Sequence, residues 1–199
     1  MKASINKILL TSFLCVFALT AYAKTQEQIL KDFSAWDKKV NDLFISFDQQ
    51  TSFEDILISS STGTLTKEGQ NLILDTYENG KLIQRAWTDK KIIKIFDPEG
   101  NLITTSDWQT WQQAQTNKAL FDFGNYAQVL KDHKIKTFKE EDKRYHLVLE
   151  GQNEQDIYEL TFMLDEKSFP LQITLQSQGV KTTTNLNEIK LPLQEQPLQ

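Results

Sequence analysis

WTDKKIIKIFDPEGNLITT, residues 87–105, decides the fold. Ile93 and Ile95 stand two apart with Lys94 between them, a spacing that puts both on one face of an extended strand. The apolar run stops at Asp97-Pro98-Glu99-Gly100-Asn101. Pro98 presets the φ of a turn, and Gly100 can take the left-handed position after it. Leu102 to Thr105 then resume an extended run rich in β-branched residues. The stretch is a hairpin, and it holds no residue placed as a nucleophile or metal ligand.

The same period of two extends towards the N-terminus. QNLILDTYENGKLIQRAW (70–87) turns at Asn79-Gly80, a pair that tolerates positive φ and marks a hairpin. FEDILISSSTGTL (53–65) reads as a further strand pair, and Ile45 and Phe47 alternate with Ser46 and Asp48. Before them the period is helical. Thr25 and Gln28 form a capping box, and Ile29, Phe33, Trp36, Val40 and Leu43 make one apolar stripe opposite Lys31, Asp32, Asp37, Lys38 and Lys39.

Towards the C-terminus, Ser106 or Asp107 caps a short helix near 107–116 that carries Trp108 and Trp111. A loop and a second short helix near 125–132 follow. Strands return in RYHLVLEG (144–151), IYELTFMLD (157–165), PLQITLQSQG (170–179) and GVKTTTNLNEI (179–189). One helix, about six strands, two short helices and about five more strands predict a mainly β (α+β) domain. Strands joined by tight turns make an antiparallel meander, and a sheet of about ten strands curls. The expected architecture is an incomplete barrel with helices on its concave, apolar side.

The first residues read as an address. Lys2 and Lys7 precede an apolar run from Ile8 to Leu19, shorter than the roughly twenty residues of a membrane span. Ala21-Tyr22-Ala23 supplies small residues for cleavage after Ala23, so residues 1–23 are expected to be a secretory signal peptide. Cys15, the one cysteine, lies inside that segment. The mature chain is therefore expected to use neither disulfide nor thiolate, which suits a periplasm. Removal of residues 1–23 takes away two lysines and no acid, moving the formal charge from −5 to −7. That balance disfavours nucleic acid and anionic membrane surfaces as partners. The remaining 176 of 199 residues predict one domain over 24–190 and an extended tail over 191–199.

Several stretches, taken in order, resemble the LolA family of periplasmic lipoprotein carriers. LFISFDQQ (43–50) follows the first helix, then come STGTL (61–65), AWTDKKIIKIFDPEGNLI (86–103) and the closing hairpin FPLQITLQSQGVKTTTNLNEI (169–189). The resemblance spans roughly residues 26–190. It implies an incomplete antiparallel β-barrel of about eleven strands, with helices as a lid over a cavity for lipoprotein acyl chains. It also implies transport from the inner to the outer membrane, with an inner-membrane lipoprotein-release transporter as donor, an outer-membrane acceptor, and a monomeric carrier. A lipid- or partner-sensing module of the same fold is the alternative. The family's Arg-Pro pair and its second arginine, tied to lid closure, have no counterpart in KEGQNLILDTY (67–77), where Ile73 or Leu74 takes the place of that arginine.

Chemistry elsewhere is sparse. His133 and His146 are thirteen apart without further ligands at metal spacing. Asp97, Glu99 and Asn101 are too few oxygens for a calcium loop. No serine stands in a nucleophile elbow, and neither enzymatic activity nor a cofactor is expected. The apolar faces are the remaining candidate. Trp87, Ile93 and Ile95 on the early strands, with Leu160, Phe162, Leu171 and Ile173 on the late ones, are the expected lipid-lining residues. Without the arginine, the lid is expected to be held by apolar contacts alone, through Trp108, Trp111, Leu120 and Phe121.

Overall fold

The computed structural model describes residues 24–114, 125–152 and 157–191. Helix α1, Gln26–Ala35, starts where the Gln28 amide donates to Thr25 Oγ1 at 3.3 Å. It passes into a 3₁₀ turn at Trp36–Lys38, so the stripe expected as one helix is divided. Val40 follows the turn and Leu43 already belongs to strand β1, Asp42–Phe53. Both are buried all the same. A step of three or four fits a last helical turn and a chain crossing from helix to strand equally well.

Strands β2 (Ile56–Glu68), β3 (Asn71–Glu78), β4 (Lys81–Thr88), β5 (Ile92–Asp97) and β6 (Leu102–Asp107) follow as one antiparallel meander. Helices α2 (Trp108–Ala114) and α3 (Tyr126–Asp132) come next. The second meander holds β7 (Lys134–Glu141), β8 (Arg144–Gln152), β9 (Ile157–Leu164), β10 (Pro170–Ser177) and β11 (Val180–Lys190). β1 pairs with β11, which fuses the meanders into one eleven-stranded open sheet of order β6-β5-β4-β3-β2-β1-β11-β10-β9-β8-β7. This is the incomplete antiparallel barrel expected from the strand pattern.

The turns obey their residues. Asn79 and Gly80 take φ of 50° and 77°, as the hairpin expectation requires. In the 97–101 turn the left-handed residue is Asn101, at 48°, and not Gly100. The Asp97 carboxylate accepts the Glu99 and Gly100 amides at 2.9 and 3.2 Å, which draws the chain over the side chain. A Cβ on Gly100 would sit 3.0 Å from Asp97 Oδ2, so the glycine serves that close approach.

Gly63 has a similar reason. It lies opposite Phe47 on β1, and a Cβ there would run into the Phe47 ring and come within 2.7 Å of the Asp75 carbonyl oxygen. Gly63→Ala is therefore expected to cost about 1–3 kcal/mol, the range for an overpacked core, seen as a lower urea midpoint with an unchanged slope.

Candidate functional site on the concave face

Residues opposite one another in neighbouring strands share a face. Ile45, Leu65, Leu74, Ala86 and Ile95 form one row across β1 to β5, and Leu147, Phe162 and Ile173 form another across β8 to β10. These rows are the inner face, on which the helices pack. Ile93, Leu160, Phe162 and Ile173 are buried there, and Ile95 packs against the same core.

Trp87 does not join them. It pairs with Ile73 and Lys94, so it points from the outer face, while its neighbour Ala86 takes the inward place. The sequence run is apolar at both positions, and period alone favours the larger residue inward. Leu171 sits at a register shift between Pro170 and Gln172 and is half-buried. Leu120 and Phe121 lie outside the described residues.

Each half of the sheet has its own cover. Over β2 to β5, Trp108 and Trp111 stack with ring centroids 5.4 Å apart. They close on Leu65, Leu72, Leu74, Ala86 and Ile93, leaving a gap of only about 10 Å³. Over β8 to β10, Phe33 of α1 lies 5.0 Å from the Phe162 ring and 4.4 Å from Tyr126 of α3. Trp36 meets Phe169 edge-on at 4.7 Å.

The expectation of a cover held by apolar contacts alone is corrected for α1 and α3. The Asp37 carboxylate accepts the Tyr126 and Ala127 amides at 2.6 and 2.9 Å and so caps α3. Trp36 Nε1 donates to the Lys167 carbonyl at 3.1 Å. The ring nitrogens of His133 bridge the Val129 carbonyl at 2.7 Å and Tyr158 Oη at 3.0 Å. From the sheet, Lys67 Nζ donates to the Val40 and Asn41 carbonyls at 2.7 and 3.2 Å. None of these residues stands out in the sequence except in one respect. Lys67 shares its parity with Gly63 and Leu65, and a cation on an inward position is a signal of a buried partner.

The concave face is not apolar throughout. Where the meanders meet, Thr51 lies 3.2 Å from Thr182 and Thr184 donates to Gln49 at 3.3 Å, a strip of hydroxyl and amide groups on the floor. Beside it Phe53, Leu175, Ser177, Gln178, Val180 and Thr182 line an open cavity of about 340 Å³, within the size range of ligand sites. At its rim the β1–β2 hairpin exposes Phe53 (43%), Ile56 (71%), Leu57 (59%) and Ile58 (61%). Four large apolar side chains left in solvent on one hairpin exceed what scattered surface residues explain.

A strongly curved open antiparallel sheet with helices on its concave side is a LolA-like fold. Among solved structures, a LolA superfamily protein from Nitrosomonas europaea matches with a TM-score of 0.50 at 14% identity, over 86% of this chain and 95% of that one. An uncharacterized conserved protein from Thermus thermophilus matches with a TM-score of 0.52 at 12% identity, over 84% of this chain and 88% of that one. Likeness at such identities establishes the fold. No family model and no curated protein matches the chain.

Two outcomes test the polar attachments. Asp37→Ala removes both caps of α3 and is expected to cost about 1–2 kcal/mol, with faster amide exchange in α3 and little change in the sheet. Burial, with the nearby Lys90, holds Lys67 below the ordinary lysine range. The unfolded chain then binds the Lys67 proton more tightly than the folded one, so stability from this group rises as pH climbs towards the lysine range. Urea unfolding of wild type and Lys67→Met should show the wild type gaining on the variant between pH 7 and pH 10 (about three units below and just at the unfolded lysine pKa).

Proposed function

We propose that the protein is a periplasmic carrier, not an enzyme, which binds lipoprotein acyl chains on the concave face and shuttles them from the inner to the outer membrane. The observation that carries this reading is the cavity by Phe53, Leu175 and Val180, continuous with a hairpin that leaves Ile56, Leu57 and Ile58 exposed. An open mouth with Phe53, Leu175 and Val180 among its lining residues, beside a covered apolar face, suits a flexible hydrocarbon that must both enter and leave. An inner-membrane release transporter would load the carrier, and an outer-membrane acceptor would unload it.

Energetics support displacement of the cover by cargo. Each buried methylene contributes about 0.8 kcal/mol, whereas each large apolar side chain contributes about 1.5–3 kcal/mol when fully buried. The gap under Trp108 and Trp111 holds no acyl chain as it stands. A chain reaching Ile93 and Ile95 would have to lift those two rings. Displacing the cover over Leu160, Phe162 and Ile173 would also break the hydrogen bonds of Asp37 and His133.

Mass spectrometry of material that co-purifies with the exported protein should find acylated polypeptide or lipid. A fluorescent fatty acid should bind the wild type, and Leu175→Glu should weaken it at least tenfold. Gln176→Glu, one residue on and exposed, should leave binding unchanged. A protein that neither co-purifies with lipid nor binds the probe would overturn the reading. One that binds lipid but never passes it to outer-membrane vesicles would be a sensing module of the same fold.

A further inference from the structure

The sheet has two edges, and they differ in how they are guarded. β7 carries Lys134, Lys136, Lys139, Glu140 and Glu141 along its length, and its pairing with β8 is broken by a register shift between Ile135 and Thr137. Charges and bulges are the means by which an edge strand resists pairing with another chain. β6 has neither. Its run LITTS (102–106) is uncharged and free of proline. Its register with β5 is unbroken from Ile92–Asp107 to Asp97–Leu102. Among the described residues β5 is its one neighbour. Leu102 and Ile103 are 59% and 57% exposed, and being consecutive they offer apolar surface on both faces.

We infer that β6 is a docking edge that accepts an extended segment of another protein as a twelfth, antiparallel strand. The charges around the edge give that segment its orientation. Asp97 and Glu99 stand beside the Leu102 end. Lys90, Lys91 and Lys94 stand towards the Asp107 end. Asp89 and Asp107 stand there too, so three lysines against two carboxylates leave that end one charge positive, whereas the Asp97–Leu102 turn carries two carboxylates and no cation. An antiparallel partner places its C-terminal end beside Leu102. Its matching sequence is therefore an uncharged β-branched centre with acids on the N-terminal side and lysines or arginines on the C-terminal side. A second copy of this chain fits less well. Both copies carry net negative charge, which opposes their association.

The test uses the exported protein and a labelled peptide with a Val-Thr-Ile-Thr-Val centre, two N-terminal glutamates and two C-terminal lysines. Fluorescence anisotropy should show saturable binding. A peptide with the flanking charges exchanged should bind at least tenfold more weakly, as should one with proline at its centre. On the protein, Ile103→Lys and Thr105→Lys install the kind of guard that β7 already has. Each should weaken binding at least tenfold while melting temperature and fatty-acid binding stay as in wild type. Absence of binding by the wild type would overturn the inference, as would equal binding by the lysine variants or by the charge-exchanged peptide. A concentration-dependent dimer in sedimentation that the lysine variants dissolve would give the edge to a second copy instead.

Discussion

The pairing of β1 with β11 is the contact on which the other features depend. It runs from Phe44 with Lys190 to Phe53 with Val180 and joins the first and last strands of the domain. Closing a chain loop of that size costs on the order of 4 kcal/mol. Each meander by itself has an apolar face without enough cover. Once joined, they curve around one core in which Phe33 of the first helix reaches Phe162 of the late meander. The same pairing sets the polar floor, because Thr51 and Gln49 come from β1 while Thr182 and Thr184 come from β11.

The helices divide along the same seam. α1 and α3 are tied to one another and to the late half by groups with direction, through Asp37, Trp36 and His133. α2 closes the early half with two stacked indoles, and its Trp108 amide donates to the Lys91 carbonyl at 3.1 Å. Directional bonds to buried partners are costly to break one at a time, since each leaves a desolvated group unpaired. An apolar contact can be exchanged for another apolar contact with little net change.

How much of this is legible in the chain follows from the residues. Asn79-Gly80 and the Asp97–Asn101 turn announce hairpins because few residues accept their backbone geometry, although the left-handed place in the second goes to Asn101. The step of two in β8 and β9 assigns Leu147 and Leu149 to one face and Leu160 and Phe162 to one face, with Thr161 marking the alternation in β9 and the apolar Val148 leaving it weaker in β8. Trp87 misleads because Ala86 and Trp87 are both apolar, and register decides between them. Asp37 and His133 are invisible as tethers because their partners, Tyr126 and Tyr158, lie 89 and 25 residues away.

The sequence by itself determined the order of elements, the hairpin turns, the helix start at Thr25 and most inward faces. These depend on neighbours a few residues apart, through period, capping and turn chemistry. Only the tertiary structure decided which end of the concave face is filled and which is open among the described residues, that Lys67 reaches the Val40 and Asn41 carbonyls after the first helical segment, and that of the two sheet edges β7 carries a bulge and β6 does not. Those outcomes depend on curvature and on contacts between strands far apart in the chain, which no local pattern encodes.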